Sequence, residues 1–369
     1  MKIAGFCSSH DCSYCILEDG KLIIHNELER FTREKEPMGD GIQFMFDTEK
    51  DINDITHFTH CFDTWNGGIV ERFPETFKQM SNMVQNNGGN YFVPGHHMSH
   101  AANAFFSSNY DEALIFTLDG GGRDYGPNGE MIITAFTVWE GKGNKITEVD
   151  ITNFGDINIG SMWSTSTSSI FGLSNGYPKG SQNGTVMAMA CLGDPKYSDA
   201  FLKAFSNGNN LDFEYFKKIA QKSEQDTFDV AASLQLATEI FTKNLLSKYI
   251  KAFPNYKNLC LAGGVVLNSV MVGKIYEWFP QIENIYIPPV PYDAGLAIGS
   301  AQYVWHHILD NPRIQWDKNI TPYLGRCYNK DEILKSLKEK NAEIKYKKTN
   351  DDEVVDLLSG GDNVISIFN

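Results

Sequence analysis

Two histidines four residues apart, His96 and His100, stand in the stretch Gly95-His96-His97-Met98-Ser99-His100-Ala101-Ala102. On a helix that spacing places both imidazoles on one face, one turn apart, where they can share a metal ion. Pro94-Gly95 marks the helix start. Nineteen residues after His100, the hydrophobic run Ala113-Leu114-Ile115-Phe116-Thr117-Leu118 ends in Asp119-Gly120-Gly121-Gly122. A carboxylate at a strand end, followed by three glycines, suits a metal ligand beside a phosphate-binding turn. The histidine pair alone says little; joined to the strand-end Asp-Gly-Gly-Gly it predicts chemistry on a metal and a phosphate. His97 points about 100° away from His96 on the helix, so it is expected to pack or to support the ligands.

The chain that must position these groups has 369 residues, 42% of them hydrophobic, enough for a sizeable core in two or three domains or subdomains. Its formal charge of −14 repels nucleic acid at long range, which argues against a DNA- or RNA-coating role. No apolar run approaches the roughly 20 residues that span a membrane. The N-terminus, Met1 to Phe6, reads as a strand and not as a signal peptide. Seven scattered cysteines read as reduced, cytoplasmic thiols. Cys12 and Cys15 have CxxC spacing without a second pair, and are expected to face the interior of a hairpin.

Residues 2–7, 12–17 and 21–25 read as strands, the last two joined at Glu18-Asp19-Gly20, a strong hairpin signal. The first turn of this meander is Ser8-Ser9-His10-Asp11. A charged helix or turn follows at 26–35, then a partly helical region to 90, the histidine helix at about 96–107, and the Asp119 strand. A second meander has strands at 132–139 and 146–151. Residues 161–173 are rich in Ser, Thr and aromatics, and 174–184 form a glycine-rich loop. A long amphipathic helix is expected at 229–250. A strand at 259–261 runs into Ala262-Gly263-Gly264, with a helix at 266–279 and a strand at 285–287. Asp293-Ala294-Gly295 then opens a small-residue helix to about His307. Asp293 reads there as an N-cap, and His306-His307 as helix surface. No GxxxxGK[ST] and no well-placed GxGxxG occur.

The two halves thus begin alike: strand, small or glycine-rich turn, hairpin. The actin-like ATPase superfold, shared with sugar kinases, duplicates one such unit and points the first hairpin turn of each half into a central cleft. The expected fold class is therefore α/β, a duplicated actin-like (sugar-kinase-like) fold, with subdomains at 1–108 and 109–322 flanking the cleft.

Several stretches together resemble the O-carbamoyltransferase family that includes nodulation-factor and antibiotic-tailoring enzymes. They are Ser9-His10-Asp11, Glu27-Leu28-Glu29-Arg30-Phe31-Thr32, His96-His97-Met98-Ser99-His100-Ala101, Thr117-Leu118-Asp119-Gly120, Leu259 through Asn268, and Asp293-Ala294-Gly295, in the family's order over about residues 3–300. The resemblance implies a divalent metal, Fe2+ first among them, held by His96, His100, Asp119 and Asp293. It implies that carbamoyl phosphate and ATP give carbamoyl adenylate, whose carbamoyl group passes to a hydroxyl of an acceptor: a sugar, a natural product or a modified nucleotide. Gly263, Gly264 and Asn268 would lie against the adenosine, Gly120 and Gly121 near the phosphate. His10, with Asp11 beside it, is the candidate for positioning the carbamoyl group or accepting the acceptor's proton, since an unperturbed imidazole titrates near neutrality.

Two departures stand out. Thr185 occupies the place of a lysine usual in the family, with Lys179 nearby in the loop. The family also carries a YrdC-like domain that makes the adenylate. Tyr323-Leu324-Gly325, a helix at about 330–339, the segment Glu353 to Leu358, Gly360 and Ile365-Ser366-Ile367-Phe368 resemble its beginning, so 323–369 is expected to be an incomplete copy and a partner chain to supply the rest. Alternatives are a tRNA threonylcarbamoyl-transferase relative, against which Asp119 argues because that group has Ser-Gly-Gly there; a sugar kinase, which needs no histidine pair; and a nucleotide-binding regulatory subunit without turnover of its own.

Overall fold

The first strand, β1 (Lys2–Cys7), is apolar on both faces and buried on both. It pairs antiparallel with β2 (Ser13–Glu18), which turns through Asp19-Gly20 into antiparallel β3 (Lys21–Glu27). β4 (Ile55–His60) and β5 (Asn90–Phe92) add in parallel on the other side of β1, giving the order β3-β2-β1-β4-β5. The second half repeats this plan. β6 (Glu112–Tyr125), β7 (Met131–Lys142) and β8 (Lys145–Ile151) form an antiparallel meander, and β9 (Asn258–Ala262) and β10 (Asn284–Tyr286) add in parallel beside β6. The order β10-β9-β6-β7-β8 is the first sheet's order read from the other edge. The chain is thus an α/β protein with one sheet topology used twice, the duplicated actin-like plan.

The structure is a computed structural model that describes residues 1–61, 69–126, 128–173, 182–314, 324–325, 328–340 and 349–361. Lys179, Tyr323 and Ile365 to Phe368 lie outside these. Two compact units are present, Met1–Pro322 and Tyr323–Asn369. The second contains helices Lys330–Lys340 and Asp351–Ser359, the latter capped by Asn350, whose side chain accepts from the Glu353 N–H. Among the described residues no helix is long and apolar enough to cross a membrane.

Each half's closing helix lies on the other half's sheet. The histidine helix (His96–Ser107) follows β5 yet packs on β6, β7 and β9; the small-residue helix (Leu296–Gln302) follows β10 yet packs on β1, β2 and β4. The two helices pack on each other, so a layer of two helices separates the sheets. Contact is close because Gly299 has no side chain: a Cβ there would stand 1.8 Å from the Ser99 carbonyl oxygen. Apolar clusters fill the outer faces. Phe6, Phe58 and Met80 are buried on the first sheet; on the second, Phe116 and Phe136 are buried with Leu234 and Leu246 of the long helix Glu224–Ala252.

Three local expectations differ from what is observed. β6 does not end at Asp119 but continues through the glycines to Tyr125, with a register shift between Leu118 and Gly122. The helix expected at 266–279 is broken into a 3-10 turn (Gly264–Leu267) and two short helices, Ser269–Gly273 and Ile275–Trp278, because Asn268 caps a new start. His306 is no surface residue. It is 1% exposed, its ring 4.6 Å from that of Phe106, because the helix widens to a π-type turn at Tyr303–Ile308.

Candidate metal centre

The layered packing brings four chain segments to one point: the turn after β1, the first turn of the histidine helix, Asp119 in β6, and the Asp293–Gly295 turn before the small-residue helix. One ligand atom from each of His96, His100, Asp119 and Asp293 lies within 4.8 Å of the others, and all four residues are buried. His96 Nε2 is 3.1 Å from Asp119 Oδ2 and 3.5 Å from Asp293 Oδ1. His100 Nε2 is 3.3 Å from Asp293 Oδ1 and 4.0 Å from Asp119 Oδ2. His10 adds to the rim: Nε2 lies 3.2 Å from Asp293 Oδ2, and Nδ1 3.0 Å from Asp11 Oδ2.

The Asp119 carboxylate and the backbone around Asp293 are held from behind. The Gly264 N–H donates to Asp119 Oδ1 at 2.8 Å, and the Gly263 N–H donates to the Pro291 carbonyl at 2.7 Å, tying the second glycine turn to the segment that leads into Asp293. Ser13 Oγ and His25 Nε2 both donate to the Ala294 carbonyl, at 2.8 and 2.9 Å, and Tyr292 donates to Glu27 Oε2 at 3.0 Å. Asp293 makes no cap bond to the helix that follows, so its carboxylate is left to the cluster. Gly122 makes room for His96, since a Cβ there would stand 2.1 Å from the ring.

The electrostatics follow from two carboxylates and two imidazoles sharing a buried space. Burial pushes His96 down, but Asp293 and Asp119 outweigh it and carry the imidazole up to about 9. Burial dominates at His100, which is lowered. Burial raises both carboxyls, yet the imidazoles win: Asp119 is held well below the usual range and Asp293 below it. Without a cation the cluster therefore keeps a proton on His96 to offset two acids. Among the described residues neither ring nitrogen of His100 makes a hydrogen bond, although Nε2 is only 3.3 Å from Asp293 Oδ1. His96 Nε2 bonds Asp119 Oδ2, whereas His100 Nε2 faces Asp293 without bonding it, as a nitrogen of a shared ligand centre would. Two imidazoles and two carboxylates suit a borderline first-row divalent ion, so the residues fit the metal.

The remaining candidates lie at known places. Gly120 and Gly121 form the irregular part of β6, where the Gly120 carbonyl accepts from Asn158 Nδ2 at 3.2 Å. Asn268 caps Ser269–Gly273 and pairs with Gln235, which also donates to Glu239; Glu239 in turn holds Lys274 Nζ at 2.5 Å. Thr185 lies on the helix Asn183–Ala190 and is exposed. Sequence reasoning missed Asp124, Ser13, His25 and Tyr292. Ser13 and His25 carried no signal, because a hydroxyl and an imidazole on a hairpin announce nothing until the partner turn is placed.

Residues 79–302 match the family model for the carbamoyltransferase N-terminus. Over 305 residues the chain is 32% identical to the uncharacterized protein sll1178 of Synechocystis sp., covering 74% of this chain and 47% of that protein. It is 29% identical over 226 residues to the nodulation protein NolO of Bradyrhizobium diazoefficiens, covering 57% of this chain and 38% of that one. It thus spans less than half the length of either relative. Among solved structures, the activator of 2-hydroxyisocaproyl-CoA dehydratase from Clostridium difficile aligns over 84% of this chain and 96% of its own, at 12% identity and a TM-score of 0.45. HypF of T. kodakarensis aligns over 84% and 48%, at 13% identity and a TM-score of 0.46. With the family model covering residues 79–302, more than half of its length, the chain belongs to the carbamoyltransferase family.

Proposed function

We propose that this chain transfers a carbamoyl group from carbamoyl adenylate to a hydroxyl of a small-molecule acceptor, at a cleft that holds a divalent metal and a nucleotide. The convergence of His96, His100, Asp119 and Asp293 around one point carries the reading. These four residues would hold the metal, for which Fe2+ is our choice. When bound, the ion supplies Lewis acidity toward the carbonyl or phosphate of the adenylate.

The chain's own groups do the rest. His10 has a side chain 40% exposed, while those of His96 and His100 are 2% and 0%, so His10 is the imidazole of this cluster that an acceptor can reach. Asp11 Oδ2 fixes its Nδ1, while Nε2 faces Asp293 Oδ2 at 3.2 Å, on the side where an acceptor would enter. Burial pushes His10 down, but Asp293 and Asp11 carry it well above its ordinary value, so in the metal-free chain it holds a proton. Nε2 would act as a base once the pull of Asp293 is offset, as it would be were Asp293 to serve as a metal ligand. In transfer, the acceptor O–H proton goes to His10 Nε2, the acceptor oxygen forms a bond to the carbamoyl carbon, and the bond from that carbon to the phosphate oxygen breaks with AMP as leaving group. The Gly263-Gly264 turn and Asn268 would lie against the adenosine, and Gly120 and Gly121 would approach the phosphate. ATP and carbamoyl phosphate enter the preceding step, which we assign to a YrdC-like domain or partner chain.

The test is metal analysis and single-turnover assay of anaerobically purified chain, beside a His96→Ala/His100→Ala variant. One first-row metal ion per chain, with AMP release from preformed carbamoyl adenylate and an acceptor, supports the reading. Metal-free wild type that still binds ATP would move a kinase-like or regulatory reading to the front.

A further inference from the structure

We infer that Asp124 is the positioning residue of the metal centre: it clamps the first turn of the histidine helix, and so sets where His96 and His100 stand relative to Asp119. The inference rests on the metal reading above.

The histidine helix begins at Gly95, a residue with no side chain to cap the free amides of the first turn. Asp124, 1% exposed and from another element, does this instead. Its Oδ2 accepts from the His97 backbone N–H and from His97 Nδ1, both at 2.9 Å, and its Oδ1 accepts from the Met98 N–H at 3.2 Å. Three donors converge on one buried carboxylate at the positive end of a helix, where a negative charge is most favourable. Gly95 is itself part of the device, since a Cβ there would stand 2.1 Å from Asp124 Oδ1.

Asp124 lies on the same strand as Asp119. In a regular strand two residues five apart face opposite ways. Leu114, Phe116 and Leu118 belong to the core beneath the long helix, whereas Gly122 and Asp124, of the same parity, face the histidine helix. Asp119, Gly120 and Gly121 stand opposite the single residue Ala135, and these extra residues turn the strand over. One strand thereby supplies a ligand and, beyond the bulge, the clamp on the helix that brings two more. His97 is the second arm: its ring is fully buried, Nδ1 is bound to Asp124, and the centroid lies 5.1 Å from that of His96. Rotation of the first turn is thus fixed at its backbone and at a side chain.

Groups that orient metal ligands from behind typically change affinity by about 10–100-fold when lost. The experiment measures Fe2+ affinity by anaerobic chelator competition, with the melting temperature of the metal-free protein read in parallel. Asp124→Asn keeps the shape but replaces an acceptor oxygen with an amide that cannot accept. We expect it to remain folded and to lose about tenfold or more in affinity. Asp124→Ala opens the space over Gly95, so Gly95→Ser/Asp124→Ala, which moves the cap onto the helix, should recover affinity relative to Asp124→Ala alone. Wild-type affinity in Asp124→Asn, with or without a lowered melting temperature, would overturn the inference and leave the metal centre standing. A wild-type chain that binds no Fe2+ would overturn the metal reading, and the inference with it.

Discussion

The backbone N–H of Gly264 donates to Asp119 Oδ1 at 2.8 Å. The second glycine turn therefore does not present that amide to a nucleotide; it fixes a carboxylate whose other oxygen faces His96 Nε2 at 3.1 Å. The two functions proposed for the cleft, metal and nucleotide binding, would meet at this contact. Asp119→Asn can keep Oδ1 as acceptor while it removes the charge. It should fold with a near-normal melting temperature and lose the metal. Asp119→Ala should in addition leave the Gly264 N–H unpaired, at a cost of about 1–3 kcal/mol. Denaturant unfolding and metal analysis of the two variants separate these effects. Equal metal content in Asp119→Asn and wild type would sink the ligand assignment.

His10 bridges Asp11 and Asp293 and touches neither metal-helix histidine. Because it touches one proposed ligand, Asp293, its loss should weaken metal binding to a smaller degree and strike the transfer step hardest. His10→Asn should lower single-turnover AMP release at saturating metal by about 10²–10⁴-fold, the range of positioned general bases. Asp11→Asn, which only loosens His10, should lie between that variant and wild type. Full activity of His10→Asn would remove His10 from the reaction.

How much of this was legible before folding depended on whether a signal was local. Asp19-Gly20 announced the first hairpin, and Pro94-Gly95 the histidine helix, whose span of His96–Ser107 matches the expected 96–107. The duplicated sheet followed from the repeated meander. What was not legible depended on pairing. Three glycines after Asp119 read as a turn, but strand β7 runs alongside them and turns them into a bulge, so the strand continues and Asp124 escaped notice. Gly95 looked like an ordinary helix start, yet its cap comes from a residue 29 positions later. His306 looked exposed because a regular helix was assumed; a π-type turn rotates it inward. Tertiary hydrogen bonds of this kind leave no periodic trace in a sequence.

The proton on His96 gives the metal-free chain a pH signature. Its imidazole sits at about 9 in the fold, above the ordinary value of about 6.5. A raised value means that the folded state binds the proton more tightly. That stabilisation is complete below about 6.5 and is lost as pH rises through the folded value. Asp119 and Asp293 are lowered, so their contribution is present above the ordinary carboxylate value and is lost as pH falls below it. With chelator present, the melting temperature should decline between pH 6.5 and 9, and His96→Ala should flatten the decline. Metal affinity should rise over the same window, because the ion displaces that proton. A wild-type slope identical to that of His96→Ala would contradict the assignment.

At its other end the histidine helix is held by Arg313. Nη2 donates to the carbonyls of Phe105 at 3.0 Å and Ser108 at 2.8 Å; Nη1 donates to Gly143 at 3.1 Å and Tyr110 at 3.3 Å. The guanidinium carbon lies 4.5 Å from the Phe105 ring centroid. A cation over carbonyls at a helix C-terminus complements the dipole there, as Asp124 does at the N-terminus. The planar fork reaches four acceptors at once, which a single ammonium cannot. Arg313→Lys should thus cost about 2–3 kcal/mol, through the loss of hydrogen bonds from a charged group. The loss should be local, read as faster hydrogen exchange of amides 103–108, while Fe2+ affinity falls less than in Asp124→Asn because the ligands sit in the opposite half of the helix. A variant with wild-type stability and exchange would show that the four carbonyls find other partners, and that the helix is held from its N-terminal end alone.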